Sequence, residues 1–399
     1  MEISRMILVL WLATMVFMSC RKKNIIEPEP SARIADSTLV SVSRDFEQEL
    51  IRQGIDKNRN ADGLVKYGDV NQVDSLFIYG SHLIKSLKGI EYFTKLRRLT
   101  LYMTQQDSLD LSKNEMLEYL NCQTGADIAG SPAALQYLNV RNCKKLTYLN
   151  CYNNLLTTVD VSQNSDLKYL QVGLNKKLTE VDLSANGKLE VFRSDGCWEL
   201  ARLDVSKNLK IKELYCHANY KLTSLNVSLL SNLKTLSLES CHRIADLRLG
   251  TKPTLDYLNV SSLPIDRFDF NQTPNLRSLV LNSIKFSILN VSSLRKLKYL
   301  DLAYAELPDL DVSKNRELEG LDISGSNLKE INLTQNIALK RLLCYHQPFI
   351  TKLDLRNKSM EMCLAFNCEK LKSICVDKLP NPLDENWKIS GATKFEFCN

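Results

Sequence analysis

LTTVDVSQNSDLKYLQVGLNKK, residues 156–177, is followed directly by LTEVDLSANGKLEVFRSDGCWE, 178–199, and then by LARLDVSKNLKIKELYCHANYK, 200–221. Each segment is 22 residues long, and the apolar positions coincide. Further along the period is 21 or 22, as in LPDLDVSKNRELEGLDISGSN, 307–327. The pattern runs from about Leu76, with one large break, an insertion near Gly125–Pro132. A fixed spacing with LxxLxL cores means that one short unit is used many times, each burying its apolar side chains against its neighbours.

That period and core specify a leucine-rich-repeat solenoid, a horseshoe-like right-handed superhelix of mainly β strands and turns with few helices. In the unit that starts at Leu156 the inward set is Leu156, Val159, Val161, Leu167, Leu170 and Val172. Each such side chain stabilises the stack by roughly 1.5–3 kcal/mol when fully buried. Each unit has two halves, LxxLDVSxN and LxxLxVxxN, both with strand-like alternation before an Asn. Asn164, Asn175, Asn186, Asn208, Asn219 and Asn315 suit turns whose side-chain amides bond backbone in the adjacent coil.

The copies within the chain differ from one another unevenly. The LDVS half scarcely varies and shows small or short outward residues, such as Thr157, Thr158, Asp160 and Ser162. The other half varies freely and carries large groups: Lys168, Tyr169 and Gln171, then Glu190, Val191 and Arg193, then Lys212, Glu213, Tyr215 and His217. One column reads Tyr119, Tyr148, Tyr169, Val191, Glu213, Thr235, Tyr257, Ser278, Tyr299. A variable strand face on a uniform scaffold reads as a ligand surface, and tyrosine offers contact area with a polar tip. The candidate surface is therefore Tyr119, Tyr148, Tyr169, Arg193, Tyr215, Tyr257 and Tyr299. Against it stands the simple fact that aromatics do well in exposed strands.

Twelve cysteines need an account. Cys122, Cys151, Cys216 and Cys344 share the inward position of Val172 and read as small buried hydrophobes. Cys143, Cys197, Cys241 and Cys368 fall at Asn-equivalent turn positions, and Cys363 lies in the last coil. No thiols cluster at zinc-ligand spacing. Cys375 and Cys398 flank the C-terminal segment and are placed to form a disulfide in an oxidising compartment. The four histidines, His82, His217, His242 and His346, fall in different coils at different register. No catalytic motif stands out, so an enzyme is not expected. The Asp160, Asp182, Asp204 and Asn226 ladder of the LDVS half either draws cations or, more commonly, bonds turn amides and nearby serines.

Composition is ordinary for a folded soluble protein. Of 399 residues, 44% are apolar and 25% charged, and the net charge of +6 is a small excess of 52 basic over 46 acidic residues. An excess that small and spread out predicts no nucleic-acid partner, and a monomer is expected. At the N-terminus, Arg5 precedes the apolar run Met6–Met18, followed by Ser19-Cys20. The run is too short to span a bilayer comfortably and has the layout of a secretory signal peptide. The cysteine after a small residue resembles a bacterial lipobox, with Phe17 and Met18 departing from the usual residues. Residues 1–19 are thus read as signal peptide, and 20–42 as lipidated Cys20 with a flexible tether.

Residues 43–75 read as a helical, calcium-loop-like cap. Phe46–Ile51 suggests a helix, and NRNADGLVKYGD, 58–69, follows it. With Gly63 as the turn glycine, Asn58, Asn60, Asp62 and Asp69 take the first, third, fifth and last ligand positions of an EF-hand loop, and Val65 its apolar position. Two amides and a short final carboxylate imply at most weak calcium; otherwise no cofactor is expected. The repeats then occupy 76–377 and a C-terminal cap 378–399.

GIEYFTKLRRLTL, 89–101, with the DVSKN-type repeats and the ending SICVDKLPNPLDENWKISGATKFEFC, 373–398, resembles the internalin-like leucine-rich-repeat surface proteins of bacteria, over about residues 43–399. That resemblance implies a cell-surface, adhesin-like protein whose repeats bind a protein or glycan partner; the lipobox-like Cys20 adds the expectation of a lipid anchor at the outer membrane or cell surface of a Gram-negative-type envelope. The reading from another class is a structural envelope lipoprotein without a specific ligand.

Overall fold

The computed structural model describes residues 34–79, 84–102, 104–125, 134–380, 384–391 and 393–398. The expected signal peptide, Cys20, His82 and the insertion near Gly125–Pro132 fall wholly or mostly outside the described residues. Asp36–Asn399 forms one compact unit, distinct from Met1–Ala35.

The repeats form a parallel β-solenoid. Fifteen strands make one sheet, running in spatial order from Ser75–Tyr79 at one edge to Trp387–Ile389 at the other. Successive strands pair in parallel without slippage, so Leu149, Leu170, Phe192, Leu214 and Leu236 stand in one row. The inward side chains of this row are fully buried. So is the whole expected inward set of the Leu156 unit, with no member above 5% exposed. Buried apolar residues from Val40 to Val376 make one continuous core, as stacking of units that cannot bury their faces alone requires.

The asparagine ladder works as anticipated. Asn186 Nδ2 donates to the carbonyls of Val161 and Asn164 at 3.1 and 2.9 Å, and Asn208 Nδ2 to those of Leu183 and Asn186 at 3.0 and 2.9 Å. Each buried amide thus bonds carbonyls of the coil before it. The cysteines at the same positions imitate it. Cys143, Cys197, Cys241 and Cys368 each donate Sγ–H to a carbonyl of the preceding coil, those of Leu111, Val172, Cys216 and Cys344. A thiol is a weak donor on a small apolar side chain, so it fits where an amide would otherwise go.

The LDVS half departs from the expected strands. It pairs only in short separate sheets, such as Ser224–Asn226 with Asp246–Arg248. In the three regular units no strand forms there. Asp160, Asp182 and Asp204 accept the N–H of the serine two residues on, at 3.1, 2.8 and 2.8 Å, closing a local turn, as Asp110 does at 2.8 Å at the end of the paired strand Ser108–Asp110.

The caps differ from the boundaries read in the sequence. β1 (Leu39–Ser41) pairs antiparallel with β2 (Leu64–Lys66). Residues 39–42, assigned above to the tether, therefore belong to the N-terminal cap, because Val40 and Val42 bury against its core. Between the two strands lies α1 (Arg44–Arg52), and β2 leads into α2 (Tyr67–Val70). Phe46 and Leu50, one turn apart on α1, are fully buried. At the other end, residues 378–399 supply one strand to the long sheet (Trp387–Ile389) and one to a three-stranded sheet (Lys394–Glu396). They act as a final coil that covers the open edge.

Candidate functional site

Around Leu170, Tyr169 and Gln171 alternate to the outer face of the sheet, as residues flanking an inward one must. Because neighbouring strands keep register, side chains at equivalent positions meet directly. Tyr119 pairs with Tyr148, and Tyr148 with Tyr169. Their rings stack face to face, with centroids 4.4 Å apart in both steps and planes within 11° and 8°. The Arg98 guanidinium covers the open face of Tyr119, 4.4 Å from its centroid. Burial, and then the neighbouring tyrosines, push the Tyr148 hydroxyl pKa up. The row presents ring edges and hydroxyls, while the faces between its rings are used internally.

One coil beyond Tyr169, Arg193 lies over Tyr215 of the coil that follows, at 4.1 Å. Its Nε is held 3.3 Å from Asp195 Oδ2, and Asp195 Oδ1 is 2.8 Å from His217 Nδ1. The pairing with Asp195 raises the His217 pKa against the opposing effect of burial. Tyr257 and Tyr299 do not join these groups: Thr235 separates Tyr257 from the Glu213 position, and Ser278 separates Tyr299 from Tyr257. Tyr299 lies instead against Gly320, where an added Cβ would come within 2.9 Å of the ring. The seven candidates thus divide into a tyrosine stack, an Arg193–Tyr215 pair and two isolated tyrosines.

Aromatic groups beyond the tyrosine column surround the same region. Phe77, Tyr79 and Tyr102 stack in series at 6.1 and 5.1 Å, next to Arg98. Their signal was the alternation of SLFIY, 75–79, which extends the outward columns two coils beyond Tyr119. On the turns that follow the sheet, Lys176 covers Trp198 at 4.3 Å, and Trp198, Tyr220 and His242 continue the row at 5.9 and 6.1 Å. These four occupy the position after each Asn- or Cys-bearing turn, a column the outward-strand reading did not follow.

The opposite half offers less. An open groove of about 530 Å³ runs along Asp160, Asp182 and Asp204, with Arg202 and Lys207 at its side. Each of these carboxylates is held below the usual range, foremost by hydrogen bonds from the adjacent serine. The ladder is an array of turn caps. His217, His242 and His346 lie apart, on separate coils. Cys375 and Cys398 are joined as a disulfide, with Cα atoms 5.4 Å apart. The other nine described cysteines are free and buried.

In the N-terminal cap, Asn58, Asn60 and Asp62 lie on the exposed turn between α1 and β2, Gly63 takes a positive φ of 91°, and Val65 is fully buried. Asp69, on α2, is paired with Lys57 at 2.9 Å. The turn also contains Asp56, which the loop reading did not include.

No protein-family profile matches the chain, and no curated protein matches it in sequence. Solved structures do. The functional domain of InlJ from Listeria monocytogenes, described as including a cysteine ladder, is similar with a TM-score of 0.65 and 23% identity, over 90% of this chain and 82% of that one. An internalin, InlF, from the same organism gives 0.56 and 17%, over 86% and 99% of the two chains. A leucine-rich-repeat protein of Leptospira interrogans gives 0.53 and 16%, over 83% and 97%. At these identities the likeness concerns architecture, and the chain has the leucine-rich-repeat solenoid fold of internalin-type structures.

Proposed function

We propose that this protein is a non-enzymatic binding protein of the bacterial cell envelope that grips a protein partner with the outer face of its long parallel sheet. The observation that carries this reading is the Tyr119–Tyr148–Tyr169 stack, flanked by Arg98 and by the Arg193–Tyr215 pair. Tyr and Arg held rigid before a partner arrives are the residue types that dominate protein–protein hot spots. A protein suits this surface better than a glycan, because sugar rings need aromatic faces and these faces are stacked on one another. The fold supports the reading as a scaffold, since stacked repeats offer an extended surface whose shape does not depend on its outward residues.

The location rests on sequence. The charged start, short apolar run and Ser19-Cys20 fit export followed by acylation of Cys20, with attachment at the outer membrane or surface of a Gram-negative-type envelope. Fatty-acid labelling that disappears in Cys20→Ala tests it; labelling that persists rejects that anchor. For binding, a soluble form spanning residues 24–399 is screened against extracellular-protein and glycan arrays, beside a variant with Tyr119, Tyr148 and Tyr169 all changed to Ala. A protein hit lost in the folded triple variant supports the reading. A glycan hit replaces the partner class, a hit indifferent to the tyrosines removes the site, and a blank screen favours a structural envelope role.

A further inference from the structure

Three ring groups on this molecule are closed in the same way. The face turned to the preceding coil carries a cation of that coil: Arg98 over Tyr119 at 4.4 Å, Lys176 over Trp198 at 4.3 Å, and Arg193 over Tyr215 at 4.1 Å. The Tyr345–Phe366 stack, with centroids 5.0 Å apart, breaks the pattern. Phe366 belongs to the following coil and takes one face of Tyr345, and His346 stands edge-on to both rings. The other face turns to the preceding coil, where the equivalent residue is Ser324. No ring or cation among the described residues stacks there.

Two acids stand beside that open face. Asp301 and Asp322 are register partners on paired parallel strands, with backbones about 4.8 Å apart. Both flank inward leucines and so point outward. Hydrogen bonds orient them without neutralising them: Asp301 Oδ2 accepts from Asn282 Nδ2 at 3.0 Å, and Asp322 Oδ1 accepts the Ser324 N–H at 2.8 Å. No ion pair among the described residues reaches either. Basic neighbours are engaged elsewhere, Lys298 with Glu319 and Arg341 with Glu361. Burial, and then the Asp301 charge, push the Asp322 pKa up. Both charges reach Tyr345, whose hydroxyl pKa is raised by burial first and then by them. The fully buried Ser324 hydroxyl lies beside Asp322 and Tyr345 and finds no partner at hydrogen-bonding geometry.

An open ring face, two carboxylates without a countercharge and a spare hydroxyl complement one planar cation. A guanidinium can lie on a ring and bond carboxylates along its edge at once, which a compact ammonium does less well. We infer that the partner protein supplies an arginine side chain that enters between Tyr345 and the Asp301–Asp322 pair, the place that Arg98, Lys176 and Arg193 hold over the other rings. This rests on the protein-binding reading above and gives the partner a second contact, far along the sheet from the tyrosine stack. Beyond Asp322 the same outward column continues as Leu343 and Leu364, so the arginine is flanked by apolar residues of the partner.

The test is fluorescence anisotropy of the intact protein with a labelled Gly-Leu-Arg-Leu-Gly peptide, and with the same peptide carrying lysine or citrulline, at constant ionic strength. The arginine peptide is expected to bind saturably, the lysine peptide more weakly and the neutral citrulline peptide not at all. Asp301→Asn and Asp322→Asn are each expected to weaken the arginine peptide by about tenfold, and Tyr345→Leu by about threefold. No saturable binding, equal binding of the lysine or citrulline peptide, or an unchanged affinity in Asp301→Asn would overturn the site. Asp301→Asn alone decides if Asp322→Asn fails to fold. The variant with Tyr119, Tyr148 and Tyr169 changed to Ala should bind the peptide like the parent, so failure of the tyrosine surface and failure of this site read separately.

Discussion

His217 Nδ1 lies 2.8 Å from Asp195 Oδ1, across the step between two neighbouring coils of the outward face. The same aspartate holds Arg193 through its other oxygen. One buried carboxylate thus orients both the cation stacked on Tyr215 and an imidazole whose pKa it raises.

The pair makes stability pH-dependent in a known direction. The His217 pKa is raised in the fold by its bond to Asp195, above an unfolded value of about 6.5. The proton is then bound more tightly in the folded state. The stabilisation is complete below about pH 6.5 and is lost as pH rises through the raised folded value. The Tm should therefore fall as pH rises above about 6.5, and His217→Gln should flatten that fall. Because the ring is half-exposed, the change is small; a variant with the same slope as the parent would exclude this pair as its source.

One residue per coil sits in the left-handed region at a shared register: Leu174 at φ 54°, Gly196 at 72°, Ala218 at 53°, Ser240 at 59° and Ser262 at 60°. Each donates its N–H to the next coil, as Ser240 does to the Ser261 carbonyl at 3.0 Å. A side chain there is strained, by roughly 1–2 kcal/mol, and glycine relieves this at some cost in unfolded-state entropy. Ser240→Gly should raise stability by about 0.5 kcal/mol in denaturant titration. Gly196→Ala should lower it, since the new Cβ would also lie 2.6 Å from Leu174 Cδ2. Shifts of the same sign in both would remove the strain argument.

At the asparagine ladder, Asn186→Leu should destabilise by ~2–3 kcal/mol, because two buried carbonyls lose their donor. Asn186→Cys should cost less, as the thiol can repeat the bond that Cys197 makes to Val172. Equal losses by chemical denaturation would show that the cysteines at these positions only fill space.

Leu170→Asp should unfold several coils, since it places an unpaired charge in a fully buried row between Leu149 and Phe192. A loss of about 4 kcal/mol or more is expected. A normal melting curve would contradict the register.

The Cys375–Cys398 bond spans 23 residues of sequence and ties down the last strand, Lys394–Glu396. Arg356 Nη1 adds a bond to the Cys398 carbonyl at 2.7 Å. Removing the disulfide in Cys398→Ser should cost about 3 kcal/mol and expose the final coil first, visible as early amide exchange over residues 373–398. Uniform exchange along the chain would place its contribution elsewhere.

Sequence alone determined the period, the inward set exemplified by Leu156, Leu167 and Leu170, the Asn and Cys turn columns, and which half of each coil varies. These are legible because burial in a stacked coil imposes a pattern that repeats within 22 residues, and the chain writes it many times. What only the tertiary structure decided are contacts made across coils or across the cap, where no local pattern points to the partner. The tyrosine column was readable, but whether its rings would offer faces or stack on them depended on strand register and spacing. Arg193, Tyr215, Asp195 and His217 each looked like one more variable outward residue until adjacent coils placed them in a chain of contacts. The LDVS half alternated like a strand, yet three successive copies of it form none. Asp56 drew no reading in the sequence, and is an orphaned buried carboxylate only because the folded cap closes over it.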